Sequence, residues 1–242
     1  MDAFGAGLTD LTHSTSQLSA TDRTRLGRHK ERGLTDRRAL HDVLDAGLIC
    51  HLGVLIDAAP VVLPTGYGTI GETMYLHGSS ANRALLAAAD TEVCVTVTLL
   101  DGLICARSVF HNSMNYRSAV IYGTARLVTD DAERLTAIEA ITEHLIPGRW
   151  SNSRLPTKKE MAATSVLALP LAEASVKVRS GGPSDDDEDY ALGYWAGVLP
   201  ITMTVGTAQP DPLLRADIEV PAHISGLQTP PAAVGASADG LA

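Results

Sequence analysis

The chain has 242 residues, of which 45% are apolar, and its formal net charge is −9. This apolar content is ample for a folded core. The acidic balance and the lack of a dense basic stripe argue against nucleic-acid binding, and no apolar stretch is long enough to predict a membrane span.

The chain divides into three parts by composition. Residues 1–33 are rich in Ser, Thr, Gly and charge and predict a flexible N-terminal extension without the apolar run of a signal peptide. Residues 34–206 carry the regular apolar patterns of one ordered domain. Residues 207–242 are rich in Pro, Ala and Gly and predict a disordered or loosely packed tail.

The first predicted elements are a helix and two strands. Thr35 or Asp36 can cap a helix that runs to about residue 46, where Gly47 ends it. Strands are predicted at 48–56 and 61–66, joined by a turn. A third strand is predicted at 73–77.

Residues 66–71 read GYGTIG and match the dinucleotide-binding pattern GxGxxG. That pattern works only where a helix opens directly after the strand. Here the sequence continues as another strand, so the glycines are predicted to form a turn between antiparallel strands. A Rossmann domain is therefore excluded.

The segment YLHGSSANR predicts a strand that turns directly into a helix at 80–89. Ser79 or Ser80 can cap this helix, and a helix start favours an anion. Asn82 and Arg83 add donors at the same end. The corner is interpreted as a phosphate clamp, and an ordinary capped helix with a solvated arginine is the alternative.

The remaining elements are mostly strands. A strand at 93–100 is followed by an Asp-Gly hairpin turn at 101–102. The later strands are predicted at 103–109, 116–128, 165–169, 174–179 and 198–205, and an amphipathic helix at 132–146. At least six antiparallel strands with few short helices predict an all-β dominated barrel.

No metal site is predicted. The three cysteines, Cys50, Cys94 and Cys105, fall in predicted strands and form no CxxC pair, which indicates buried, reduced thiols in a cytoplasmic protein. The acidic run at 185–189 lacks the ligand spacing of a calcium loop and is interpreted as a solvated loop.

Four segments together resemble the pyridoxamine 5′-phosphate oxidase-like, FMN-binding split-barrel superfamily, and within it the nitroimidazole-resistance type. They are His51-Leu52-Gly53, Pro64 followed by Tyr67, YLHGSSANR, and SMNYRSAVIYGTA at 113–125. The resemblance covers roughly residues 34–205. It implies a six-stranded antiparallel Greek-key split β-barrel, a homodimer, and FMN at the subunit interface.

The resemblance also implies site residues. The phosphate would be bound by His77, Ser79, Ser80, Asn82 and Arg83. The flavin ring would be lined by Pro64, Thr65, Gly66 and Tyr67, with Trp195 reaching it from the partner subunit. The alternatives are that Tyr67 covers barrel residues and that Trp195 packs at the dimer interface without contacting the ring. Tyr116, Arg117 and Ser118 match the next signature, whose basic residue would approach phosphate or ribityl oxygens. His51 matches a histidine that has a catalytic role in nitroimidazole-resistance proteins, and a hydrogen-bonded structural histidine is the alternative.

The implied function is an FMN-dependent oxidoreductase. Reduced flavin would pass electrons to a small acceptor such as a nitroaromatic or a quinone, and a reduced nicotinamide or another donor would supply them. The arginine-rich substrate signature of pyridoxamine phosphate oxidases has no clear counterpart after Trp195. The alternatives are a non-catalytic flavin-sequestering or ligand-sensing protein, or a haem- or deazaflavin-binding relative.

Overall fold

The structure is a computed structural model that describes residues 17–18 and 20–228. The parts of the predicted N-terminal extension and C-terminal tail at 1–16 and 229–242 lie outside the described residues. Within the described residues there are ten strands and five α-helices. The strands are β1 Gly33–Leu34, β2 Cys50–Ile56, β3 Ala59–Thr65, β4 Tyr67–Ile70, β5 Thr73–Ser79, β6 Thr91–Cys105, β7 Ser113–Leu127, β8 Thr164–Pro170, β9 Glu173–Arg179 and β10 Gly197–Pro200. The helices are α1 Arg37–Ala46, α2 Arg83–Ala88, α3 Asp131–Leu145, α4 Lys158–Ala162 and α5 Ala222–Leu227.

The strands form one highly bent antiparallel sheet. Its main order is β3-β2-β6-β7-β8-β5-β4, with β9 pairing to β7 and β1, and β10 pairing to β6. Strand β7 is long enough to pair with β6, β9 and β8. This mostly β architecture with few helices confirms the predicted split-barrel class. The strand count is ten, so the expected count of six is not confirmed.

Helix α1 forms where its end signals predict it. The side chain of Asp36 accepts a hydrogen bond from Arg38 N at the start, and Gly47 N donates to Val43 O at the end. Leu40 and Leu44 are fully buried. This helix therefore closes one side of the main core.

The glycine-rich stretch differs from its prediction. Residues Tyr67–Ile70 form strand β4, which pairs with β5, and only Gly71 takes a left-handed turn conformation, with φ of 53°. A Cβ atom at Gly68 would lie 2.6 Å from backbone atoms of Ala140 and Ile141. Glycine is thus needed at 68 because α3 lies directly against β4.

The predicted hairpin turn at Asp101-Gly102 is wrong. Strand β6 continues through these residues with a register shift between Leu100 and Gly102. Arg117 on β7 donates to both carboxylate oxygens of Asp101, at 3.0 and 2.8 Å. Strand β10 pairs across the same point, because Pro200 lies opposite Gly102. Asp101 and Gly102 therefore form a bulge inside the long strand β6.

The apolar side chains form two cores. The larger core fills the space between the sheet, α1 and α2, and the smaller lies under α3. Members of the larger core are Leu44, Leu52, Val95, Ile121 and Leu169, and members of the smaller are Tyr75, Val128, Ala137, Ile141 and Val166. Helix α3 is one residue displaced from its prediction at each end.

The chain leaves the sheet after β10. The predicted strand at 198–205 is observed only at Gly197–Pro200, and residues 201–221 are extended or turned. The apolar side chains of Ile201, Met203 and Val205 alternate along this part and are exposed. Within the described residues, no helix has the length and apolar character needed to cross a lipid bilayer.

Candidate functional site

The strands β3, β2, β6, β7 and β9 have one face toward the larger core and one away from it. Along β2, Cys50, Leu52 and Val54 are buried, whereas His51 and Leu55 are exposed. Because strand side chains alternate, His51 and Leu55 lie on the face opposite the core. We call this surface the outer face.

The strand register arranges the outer face in rows. His51 lies opposite Pro64 on β3 and Thr96 on β6, and that row continues through Val120 on β7 to Ser175 on β9. Directly opposite residues point to the same side of a sheet. The neighbouring row consists of Val62, Gly53, Cys94, Tyr122 and Glu173. The structure therefore brings the predicted residues His51 and Pro64 together.

The predicted phosphate corner has a different local geometry from the expected one. Helix α2 begins at Arg83, and its cap is Asn82, whose Oδ1 accepts from Ala84 N at 2.9 Å and Leu85 N at 3.4 Å. Neither serine is the cap, and Ser79 Oγ instead accepts from Ala81 N. The capping interaction uses the helix N–H groups that a phosphate would need.

Arg83 is the cation of this corner. Its guanidinium is 3.2 Å from Asp57, which lies in the turn between β2 and β3. Both side chains are largely exposed, so water screens their attraction and a stronger anion can replace the carboxylate. Ser80 is exposed beside it. A phosphate at this corner would therefore have to be bound by side chains.

His77 does not join the corner. It shares a face of β5 with Tyr75, which packs under α3. Its ring borders a cavity of about 250 Å³ lined by Ile138, Ile141, Thr142, Leu145 and Ile146. Nδ1 is buried and has no hydrogen-bond partner among the described residues. Burial lowers the pKa of His77, which favours the neutral imidazole.

Tyr67 is a core residue. Its ring is fully buried, and its hydroxyl donates toward Leu44 O at 2.6 Å and Gly47 O at 2.8 Å. Burial raises the pKa of this phenol. The ring also lies against that of His144, with centroids 4.6 Å apart. The side chain therefore ties the end of α1 to β4, and any flavin contact here would involve exposed parts of the segment such as Pro64.

The residues of the predicted signature at 116–118 point to two different sides of the sheet. Tyr116 and Ser118 lie in register with Arg179 and Lys177 on the outer face, because they alternate with the buried Ala119. Arg117 points the other way and is held by both carboxylate oxygens of Asp101. Its charge is thus compensated within the fold.

Trp195 lies far from Arg83 within one subunit. Its exposed ring packs against Gly197, which pairs with Cys105 at the end of β6. Arg83 and Asp57 lie near the opposite end of β6, which begins at Thr91. A strand of this length spans about 45 Å. Trp195 and Arg83 therefore lie toward opposite ends of β6.

The acidic segment is not a simple solvated loop, which corrects the sequence interpretation. The Asp185 side chain is fully buried, accepts from Arg107 N at 2.8 Å and Ser108 N at 3.2 Å, and forms an ion pair with the Arg107 guanidinium. His111, Asp186 and Asp189 place one potential ligand atom each within 4.8 Å of one another. No sequence signal could reveal these contacts, because the partners are more than seventy residues apart.

The three cysteines are free thiols. Cys50 is buried, and burial raises its pKa to about 12, so it stays protonated and unreactive at neutral pH. Cys94 and Cys105 are partly exposed, against the expectation of burial. Cys94 lies on the outer face one row from His51.

Comparison with known proteins supports a family assignment. The profile described as pyridoxamine 5′-phosphate oxidase matches residues 36–178. No curated protein matches the sequence. The flavocytochrome Anf3 from Azotobacter vinelandii is 40% identical, with a TM-score of 0.82 over 86% of this chain and 97% of that chain.

Two further solved structures are similar. The FAD and haem binding protein from Mycobacterium smegmatis is 38% identical, with a TM-score of 0.79 over 82% of this chain and 98% of that one. A protein assigned to 5-nitroimidazole antibiotic resistance in Bacteroides thetaiotaomicron shares the fold, with 20% identity and a TM-score of 0.51 over 60% of this chain and 86% of that one. This chain belongs to the pyridoxamine 5′-phosphate oxidase family, as the resemblance predicts.

Proposed function

We propose that this protein binds a flavin on the outer face and uses it to transfer electrons. The observation that carries the proposal is the row of Pro64, His51 and Thr96, which offers a partly apolar strip with one imidazole. Two relatives that match nearly the whole fold are a flavocytochrome and an FAD- and haem-binding protein. Their names support a flavin without deciding between FMN and FAD.

The outer face fits the planar ring of a flavin. Gly53 has no side chain, and a Cβ there would lie 3.3 Å from Cys94 O, so the surface beside His51 stays flat. Val62 and Leu55 flank it and are exposed. A flat apolar strip takes the face of an aromatic ring, and polar side chains at its edge fix the ring orientation. His51 is the polar group nearest the centre of this strip.

We also propose that two copies of the chain cover the outer faces. An exposed sheet face with large apolar residues is unusual for a monomer. The placement of Trp195 and Arg83 toward opposite ends of β6 supports the same arrangement, because a second subunit would bring its own Trp195 to the first subunit's ligand. The assembly is then a homodimer with two equivalent flavin sites.

When bound, the flavin supplies the redox chemistry, taking electrons from a reduced nicotinamide or a similar donor and giving them to a small acceptor such as a nitroaromatic or a quinone. The protein's part is to hold the ring and exclude water. His51 would give a proton to the acceptor as that acceptor is reduced. Arg83 and Ser80 would bind the phosphate of FMN through their side chains.

Haem is a second candidate cofactor, favoured by the names of both similar relatives. The cavity at His77 is smaller than ordinary cofactor pockets, so it does not fit a haem. His111 fits better. It follows the strongly exposed Val109 and Phe110, and one ring nitrogen faces Asp186 at 3.4 Å, a partner of the kind that orients metal-binding histidines.

A visible spectrum of the purified full-length protein tests this proposal, followed by anaerobic addition of a reduced nicotinamide and then a nitroaromatic. We expect flavin absorbance that bleaches with the donor and returns with the acceptor. A flavin that no physiological donor reduces would indicate a sequestering protein. A Soret band lost in His111→Ala would identify a haem site, and a protein that takes up no flavin on reconstitution would overturn the proposal.

A further inference from the structure

The N-terminal segment at 17–36 is part of the folded sheet edge. Leu18 N donates to Thr35 O at 2.7 Å, and the Leu18 side chain joins the larger core. Arg23 forms ion pairs with Glu92 and Glu173 and lies 5.1 Å above the ring of Tyr122 on the outer face. The segment is therefore anchored at both its ends.

A pocket of about 270 Å³ lies between this segment and β9. We call it the N-terminal pocket. Its walls are mainly apolar, formed by Leu18, Leu26, Leu34 and Val176, and Ser175 also lines it. The volume is below that of pockets that hold a whole drug-sized ligand. It suits one planar heterocycle.

The rim of the N-terminal pocket is basic although the chain carries a net charge of −9. Lys30 is exposed at the rim and has no ion-pair partner among the residues that the structure describes. Arg25 also lines the pocket, and it forms an exposed ion pair with Asp22 at 3.3 Å. A cationic rim above an apolar pocket suits a heterocycle that carries phosphate.

The pocket lies at the end of the row that contains His51. Ser175 lines the pocket and is the last residue of the row that runs from Pro64 through His51, Thr96 and Val120. Three strand spacings separate His51 from Ser175, which is about 14 Å. A dinucleotide bound along this row would reach from one to the other.

We propose that the N-terminal pocket binds the adenosine phosphate portion of a nucleotide, with adenine between the apolar walls and phosphate at Lys30 and Arg25. This inference rests on the proposed flavin function, because that function supplies the nucleotide that the pocket would bind. The adenylate belongs either to FAD, whose phosphates would then lie at Lys30 and Arg25 instead of at Arg83, or to a reduced nicotinamide dinucleotide that delivers electrons to a flavin on the outer face. In both cases the same pocket contacts the adenine.

The test measures binding of FAD, FMN and AMP to the full-length protein by calorimetry. Bound flavin is removed from the protein before FAD or FMN is added. If the adenylate in the pocket belongs to FAD, we expect FAD to bind about tenfold more tightly than FMN. AMP should then compete with FAD and not with FMN. Lys30→Glu should reduce the FAD preference several-fold. Ala20→Phe, which fills the pocket from its rim, should do the same.

The control is Lys158→Glu, which reverses an exposed lysine on α4 and should leave all three affinities unchanged. Equal affinities for FAD and FMN, together with Lys30-dependent AMP binding to the flavin-loaded protein, would support a separate nucleotide in the pocket. Equal flavin affinities without AMP binding would overturn the inference while leaving flavin binding intact. AMP binding that neither pocket variant weakens would also overturn it.

Discussion

The buried hydroxyl of Tyr67 acts on stability and not on the cofactor. It is placed between two backbone carbonyls at the end of α1, Leu44 O and Gly47 O. Tyr67→Phe keeps the ring and leaves these buried acceptors without that donor. We expect the free energy of unfolding to fall by about 1–3 kcal/mol, measured by urea denaturation.

The flavin affinity of Tyr67→Phe should equal that of the wild type, which separates a structural role from a cofactor contact. Tyr194→Phe removes an exposed hydroxyl and serves as the matched control. A variant with unchanged stability but weaker flavin binding would show that the hydroxyl serves the cofactor instead.

His51 is the residue whose role the sequence leaves open between catalysis and structure. In the structure its ring is exposed on the outer face, and strand pairing places it between Pro64 and Thr96. His51→Asn should retain flavin and its reduction by a donor. If His51 supplies a proton to the acceptor, reoxidation should slow by about 10²–10⁴-fold, measured by stopped-flow absorbance.

The His51 measurement should use several nitroaromatics and quinones across the pH range where histidine titrates. His29→Asn replaces a histidine outside the outer face and is the control. Identical reoxidation rates in wild type and His51→Asn at every pH would remove His51 from the mechanism.

At the scale of elements, the turn from β5 into α2 is the place where the proposed phosphate recognition can be tested. Because Asn82 occupies the first helix N–H groups, the Arg83 side chain must supply most of the attraction. Arg83→Ala should weaken FMN about tenfold or more, since a charge-assisted hydrogen bond is worth about 1.5–3 kcal/mol. Riboflavin, which lacks the phosphate, should bind with unchanged affinity.

Equilibrium dialysis of both ligands measures this difference. Arg154→Ala is a suitable control, because that arginine is also exposed and also ion-paired, to Glu160. An equal loss of FMN and riboflavin in Arg83→Ala would mean that Arg83 supports the fold and does not read the phosphate.

Elements with signals at both ends are the ones that the sequence predicts well. Helix α1 has a capping Asp36 and a terminating Gly47, and both act in the structure as expected. Asp101-Gly102 suits a hairpin turn equally well, and only the distant partners β10 and Arg117 turn it into a bulge. Local propensity cannot decide such a case.

The candidate site was predictable only in part for the same reason. The order of the family-like segments in the sequence predicts that His51 and Pro64 lie near one another. The strand register confirms that they are directly opposite. The separation of His77 from Arg83 follows from which face of β5 meets α3, and the burial of Asp185 follows from a contact with Arg107. Both depend on tertiary packing that the sequence does not display.

At the scale of the whole molecule, the outer face predicts a dimer. Stable interfaces usually bury about 1,200–2,000 Å² and exclude water from apolar side chains at their centre. Leu55 and Val62 are the large apolar residues exposed there, at 65% and 63%. Light scattering should give twice the subunit mass at micromolar concentration.

The double variant Leu55→Glu with Val62→Glu should shift this protein toward the monomer and weaken flavin binding together. Leu155→Glu places the same charge on another exposed leucine and should leave the dimer intact. A wild-type protein that is monomeric with flavin bound would contradict the proposed assembly.

We propose that the flavin ring lies on the outer face beside His51. Thr96→Trp tests this position, because Thr96 lies opposite His51 in the same row and a tryptophan there would occupy the space of the ring. The measurement is the affinity for flavin by fluorescence quenching, with circular dichroism to confirm the fold and Thr136→Trp on the exposed side of α3 as the control. We predict that folded Thr96→Trp loses flavin binding by at least about 100-fold while Thr136→Trp retains it. A folded Thr96→Trp that binds flavin like the wild type would show that the flavin ring does not lie beside His51.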